Sequence, residues 1–222
     1  MQAPSRRFLL PVLLLLYLIM WTWAAVRPLD RSDWVLENLL AVVTIAALAL
    51  SWRRYPLSPL SYILIFVFLC LHAIGSHYTY AEVPYDAWWQ RVFGVPLNPL
   101  LGWERNNFDR VVHFAYGLLL VYPVRELVLP LSGLRGFWGY LVPLDLMIST
   151  SALYELIEWA TAELVGGDLG MAYLGTQGDV WDAHKDMALA SLGALLTVLA
   201  VAAAQRGRVH SKPAYTARPS PG

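Results

Sequence analysis

Long apolar runs, each about the length of a bilayer crossing, alternate along this chain with short stretches rich in Arg, Asp, Pro and Gly. A spanning helix needs about 20 mostly apolar residues. Six stretches approach that length: roughly 8–26, 34–52, 60–76, a run from 109 to between 122 and 129, 136–162, and 181–204. The expected fold is therefore all-α, a polytopic membrane bundle of about six transmembrane helices forming one domain over residues 1–205. No internal repeat and no second domain is visible. Arg6 and Arg7 before the first run would suit a secretion signal. Trp23, however, stands where a cleavage site wants a small residue, and the run is long, so it reads as a retained anchor.

Composition sharpens this picture. Hydrophobic residues make up 58% of the chain and charged residues 14%, against about a quarter charged in soluble domains. The excess lies in the runs themselves, which is the membrane pattern. The 10 Trp and 12 Tyr suit interfacial aromatic belts. A net charge of zero gives no ground for a nucleic-acid partner; the expected partner is the lipid bilayer. Cys70 is the single cysteine and lies inside an apolar run, so it reads as an inert core thiol.

Orientation follows from Lys and Arg. With six spans, Arg6, Arg7, Arg53, Arg54, Arg125, Arg135, Arg206, Arg208, Lys212 and Arg218 fall on one side. Fewer fall on the other: Arg27, Arg31, Arg91, Arg105, Arg110 and Lys185. The positive-inside rule then sets both termini in the cytoplasm of a bacterial inner membrane. Residues 206–222, polar and rich in Pro and Ser, read as a disordered cytoplasmic tail. The outer loop at about 78–108 carries Tyr80, Tyr85, Trp88, Trp89, Phe93 and Trp103 among prolines, and reads as an interfacial segment or as a lid over a site beneath it.

Candidate chemistry gathers at one end of these spans. An ionisable group inside a span costs about 2.5–3.5 kcal/mol on insertion scales, so it needs a partner, water or a task. Asp109 and His113 are four residues apart and share a helical stripe; Asp109 alone would serve as an N-cap. Glu155 and Glu158 share a face three residues apart, beside Tyr154. Asp182 and Asp186 share a face of the last span, with Asp179 just before them as a cap. Gly175-Thr176-Gln177-Gly178-Asp179 reads as a turn with Thr176 and Gln177 aimed into the mouth. His184 and Lys185 point elsewhere, with Lys185 free to neutralise a neighbouring acid, and at most one of His72 and His77 can face the cluster. Asp145 lies about 15 Å deeper on the fifth span, paired with Arg125 or Arg135 or else continuing a proton path.

Carboxylates crowded in a low-dielectric site cannot all stay ionised without a counter-charge. Three solutions present themselves: a divalent metal held by His113, Glu155 and Asp182; protons moving through the acids; or a cationic substrate or headgroup. No His-Glu-x-x-His or paired-Cys signature is present. As an enzyme, the chain would use His113, Glu155, Glu158 and Asp182 in catalysis, and Asp109, Thr176, Gln177, Asp179 and Asp186 in substrate binding.

Three strings carry a family resemblance. Glu104-Arg105-Asn106-Asn107-Phe108-Asp109-Arg110-Val111-Val112-His113-Phe114, Tyr154-Glu155-Leu156-Ile157-Glu158-Trp159 and Leu174-Gly175-Thr176-Gln177-Gly178-Asp179-Val180-Trp181-Asp182 resemble the YjdF family of bacterial inner-membrane proteins. The likeness runs from about the second span to the sixth. It implies a multi-span inner-membrane protein and transfers topology without mechanism. The order Asp-x-x-x-His, then Glu, then Asp at the head of a small-residue helix is distantly similar to VanZ-like membrane proteins, which would imply cell-envelope biology. The leading expectation is an integral membrane protein whose outward-facing acidic/His pocket binds a cation or an envelope lipid headgroup, with metal-assisted hydrolysis as its chemistry. The alternatives are a proton- or cation-coupled small-molecule transporter, which at this length would work as a homodimer, and a non-catalytic partner protein whose acids are paired internally.

Overall fold

The structure, a computed structural model, describes residues 4–210. Its described residues are helical or in short connections: α1 Pro4–Ala25, α2 Arg31–Ser51, α3 Pro59–His77, α4 Tyr85–Phe93, α5 Leu97–Leu101, α6 Phe108–Ser132, α7 Trp138–Val165, α8 Gly167–Leu174 and α9 Asp182–His210. Six of these, α1, α2, α3, α6, α7 and α9, are long and apolar enough to cross a membrane. The spans lie close to their expected places, and the differences follow from local chemistry. Asp30 caps α2 by accepting from the N–H groups of Ser32 and Asp33 at 2.7 and 2.9 Å, so that helix starts at Arg31 rather than near residue 34 and takes in Asp33. The last helix continues to His210, so residues 206–210 of the expected tail are helical; residues 211–222 of that tail lie outside the described residues.

Two apolar clusters hold the spans. Tyr17, Ala24, Ala41, Leu69 and Ala73 join α1, α2 and α3, while Val121, Met147, Ala194 and Val198 join α6, α7 and α9. Lipid tails are as apolar as the helices, so close backbone approach and interhelical hydrogen bonds drive association in a bilayer. The crossing of α6 and α9 shows both. A Cβ on Gly117 would stand 1.8 Å from the Ala190 carbonyl oxygen, and one on Gly193 would stand 2.3 Å from that of Phe114. The Thr197 hydroxyl donates to the Leu118 carbonyl at 2.7 Å. At one end of the bundle, the Ser58 N–H and hydroxyl donate to Glu126 of α6 at 2.8 and 2.9 Å, and the buried Ser61 hydroxyl donates to the same carboxylate.

The 78–108 segment belongs to the opposite end. Phe108 and Val112 of α6 pack there with Val83, against Tyr78, Tyr80 and Tyr85. Asn98 is its hub: its side chain accepts from the Tyr85 hydroxyl at 2.7 Å, and its N–H donates to Asp86 at 2.7 Å. Trp88, Val92, Phe93, Leu100 and Leu101 remain exposed on it.

Candidate functional site

The start of α2, the start of α6, the last turns of α7 and the start of α9 meet at that second end. This brings Asp109, His113, Glu155, Glu158, Asp182 and Asp186 together from separate elements. Ligand-type atoms of His113, Glu155 and Asp186 all lie within 4.8 Å of one another, and those of Asp109, Asp182 and Asp186 do the same. The His113 Nε2 and the Glu155 Oε1 are 3.7 Å apart. Asp182 and Asp186 are only 5% and 4% exposed. These side chains pack close to one another at this end of the bundle.

The distribution of cations is uneven. Arg105 donates through Nη2 to Asp109 at 2.9 Å and to Asp182, and through Nη1 to the Thr176 carbonyl at 2.7 Å. Arg110 pairs with Asp179 and reaches Asp182 at 3.4 Å, while Lys185 donates to Asp179 at 2.5 Å. The Lys185 ammonium, then the Trp181 N–H, pull the Asp179 carboxyl down from its ordinary 3.8 to about 2. Asp179 thus closes the turn before α9, accepting from the Trp181 N–H at 3.1 Å. Among the described residues Glu155 and Asp186 gain no Lys or Arg partner. Their Oε1 and Oδ1 atoms are buried without a hydrogen-bond partner. Glu155 and Glu158 lie three residues apart on the same face of α7.

Several expectations change in detail. The triad containing His113 and Glu155 is completed by Asp186; Asp182, expected there, is held by Arg105 one turn away. Asp109 does not cap α6, whose N-cap is Asn107; its carboxylate accepts from the N–H of Arg110 at 2.7 Å and from Arg105. Thr176 contributes its backbone carbonyl, and Gln177 exchanges two hydrogen bonds with the backbone of Asn106 at 3.2 and 3.1 Å, so both tie one connection to another. His77 stacks on Trp23 and contacts the Ala24 carbonyl, and His72 contacts the Tyr80 hydroxyl at 2.5 Å. Asp145 is exposed on α7 and forms no ion pair among the described residues. Arg125 donates instead to the Gly139 carbonyl and lies over the Tyr140 ring.

Sequence reading missed the acids of α2. Its Glu37, 5% exposed, accepts from the Tyr154 hydroxyl at 3.3 Å and lies in the field of Glu158, while Asp33 is buried one turn above. The signal was present, because Asp33 and Glu37 have the same four-residue spacing that singled out Asp109 and His113.

Six spans around a buried polar end define a multi-pass integral membrane protein. Residues 9–207 match the family described as "Predicted membrane protein (DUF2238)", and the chain belongs to that family. It is 38% identical over 175 residues to "Inner membrane protein YjdF" of Escherichia coli (strain K12), covering 78% of this chain and 79% of that protein. With its six spans, the likeness makes this chain a multi-pass inner-membrane protein. No solved structure matches it.

Proposed function

We propose that the polar end of the bundle is a membrane-embedded cation site in which His113, Glu155 and Asp186 hold a divalent metal ion. One observation carries this reading: two carboxylate oxygens, on Glu155 and Asp186, are buried without any hydrogen-bond partner and sit with His113 in a cluster spanning 4.8 Å. Ligand atoms around a four-coordinate zinc at about 2.1 Å stand about 3.4 Å apart, so small side-chain rotations close the triad. A dipositive ion also supplies the charge that Glu155 and Asp186 lack. Imidazole with carboxylates suits zinc or manganese.

Three protein ligands leave a position for water, which a bound divalent ion would activate as a nucleophile. Glu158, one turn from Glu155 on the same face of α7, is the candidate general base. Arg105 and Arg110 hold Asp109, Asp179 and Asp182 as the frame. The orientation expected from Lys and Arg turns this end outward, so the substrate class within reach is an ester of an envelope lipid headgroup. Internal pairing alone, the structural-partner reading, accounts for Asp109, Asp179 and Asp182, but among the described residues Glu37, Glu155, Glu158 and Asp186 form no ion pair with Lys or Arg. Transport would need Asp145 as an inner station, and Asp145 is exposed on α7.

Elemental analysis tests the reading. Protein purified in mild detergent and equilibrated with Zn²⁺ or Mn²⁺ should retain stoichiometric metal, and H113A and D186N should lose it while keeping the wild-type elution profile. An impermeant chelator should strip the ion from spheroplasts. Metal-free wild type after equilibration overturns the proposal.

A further inference from the structure

Asp186 belongs to two groups at once. Ligand-type atoms of its carboxylate lie within 4.8 Å of those of His113 and Glu155, and also within 4.8 Å of those of Asp109 and Asp182. The side chain is 4% exposed, and its Oδ1 has no hydrogen-bond partner. A carboxylate shared between two ligand sets is what a two-metal centre uses, with ions about 3.5–4 Å apart. Here the second set already has a cation. The Arg105 Nη2 donates to Asp109 and to Asp182, so one guanidinium nitrogen occupies the junction of two of its three ligands. Nη1 of the same group is fixed on the carbonyls of Thr176 at 2.7 Å and Gly175 at 3.5 Å. Arg110 reaches the same Asp182 oxygen at 3.4 Å. A guanidinium fixed through both of its terminal nitrogens is held in place, and it keeps its charge at every accessible pH.

We propose that Arg105 is a resident cation standing where a second metal would sit, so that the centre loads one divalent ion, on His113, Glu155 and Asp186. This inference rests on the cation-site reading above and deepens it: Arg105 sets the stoichiometry. Asp186, which a second ion would have bridged, then serves the first ion alone.

The probe is Mn²⁺, added in excess to the full-length protein in mild detergent, then counted by elemental analysis and read by electron paramagnetic resonance. The wild type is expected to hold one ion per chain with the spectrum of isolated Mn²⁺. R105Q is expected to hold two, with an exchange-coupled spectrum, and R105Q/D109N to return to one. Should R105Q fail to fold, R105K keeps the charge and is expected to stay at one; a second ion on R105K overturns the inference. Two coupled ions on the wild type, or one ion on folded R105Q, also overturn it while leaving the cation site standing. No ion on the wild type overturns the cation site, and this inference with it.

Discussion

Gly193→Ala tests whether the α6–α9 crossing holds the site together. A methyl at this position would lie 2.3 Å from the Phe114 carbonyl oxygen and 2.7 Å from the Leu118 backbone nitrogen, where ordinary contact begins at 3.4 Å. The opposing atoms are backbone, so no side chain can rotate away, and the helices must part by about an ångström. Overpacking of this kind costs about 1–3 kcal/mol. For a chain of this size, that lowers the thermal unfolding midpoint by about 2–4 °C per kcal/mol. Phe114 adjoins His113, and Gly193 lies two turns below Asp186, so the same displacement draws two of the proposed ligands apart. Both the midpoint in detergent and Mn²⁺ affinity should fall together. Leu192→Ala, at a neighbouring exposed position, is the control and should leave metal affinity unchanged. An unchanged midpoint in G193A would refute the close-contact reasoning. A lowered midpoint with wild-type Mn²⁺ affinity would show that the site does not depend on the crossing.

Two further outcomes follow from groups away from the triad. Glu126→Ala strips acceptors from the Ser58 N–H, the Ser58 hydroxyl and the buried Ser61 hydroxyl, which should cost about 1–3 kcal/mol of stability. Thermal unfolding in detergent reads it, and wild-type stability in E126A would mean that water replaces the carboxylate. Asp179 has a depressed folded-state value of about 2 against an ordinary 3.8. Its contribution is therefore fully present above pH 4 and is lost as pH falls toward 2. The stability gap between wild type and D179N should narrow over that window; a gap that stays constant down to pH 2 refutes the assignment.

The spans were legible because twenty-residue apolar runs are the strongest signal a sequence carries. The stripes Asp109/His113 and Glu155/Glu158 were legible because helical spacing fixes which residues share a face. Spacing could not rank Asp182 against Asp186. They share one face a turn apart, and which of them meets His113 is decided by Arg105, whose reach depends on how the α5–α6 connection folds. Gly117 and Gly193 gave no warning either. A glycine in a span can mark a kink, a turn or a close approach, and only the partner helix, some seventy residues away, says which. Glu37 was overlooked because α2 was read as a crossing and nothing more.

The tie between residues 105–110 and 175–182 governs when this molecule can mature. The Gln177–Asn106 exchange, the Arg105 grip on Thr176 and the Arg110–Asp179 pair all span about seventy residues of sequence, with the whole of α7 inserted between. During synthesis, Arg110 reaches the membrane boundary before Asp179 exists, and Arg105 has only Asp109 of its two acidic partners. Closing so long a loop carries an entropic cost that grows only slowly with its length. A chain halted at the end of α8 presents Arg110 without Asp179 and Arg105 held by Asp109 alone, a mark by which surveillance could tell an unfinished copy from a finished one.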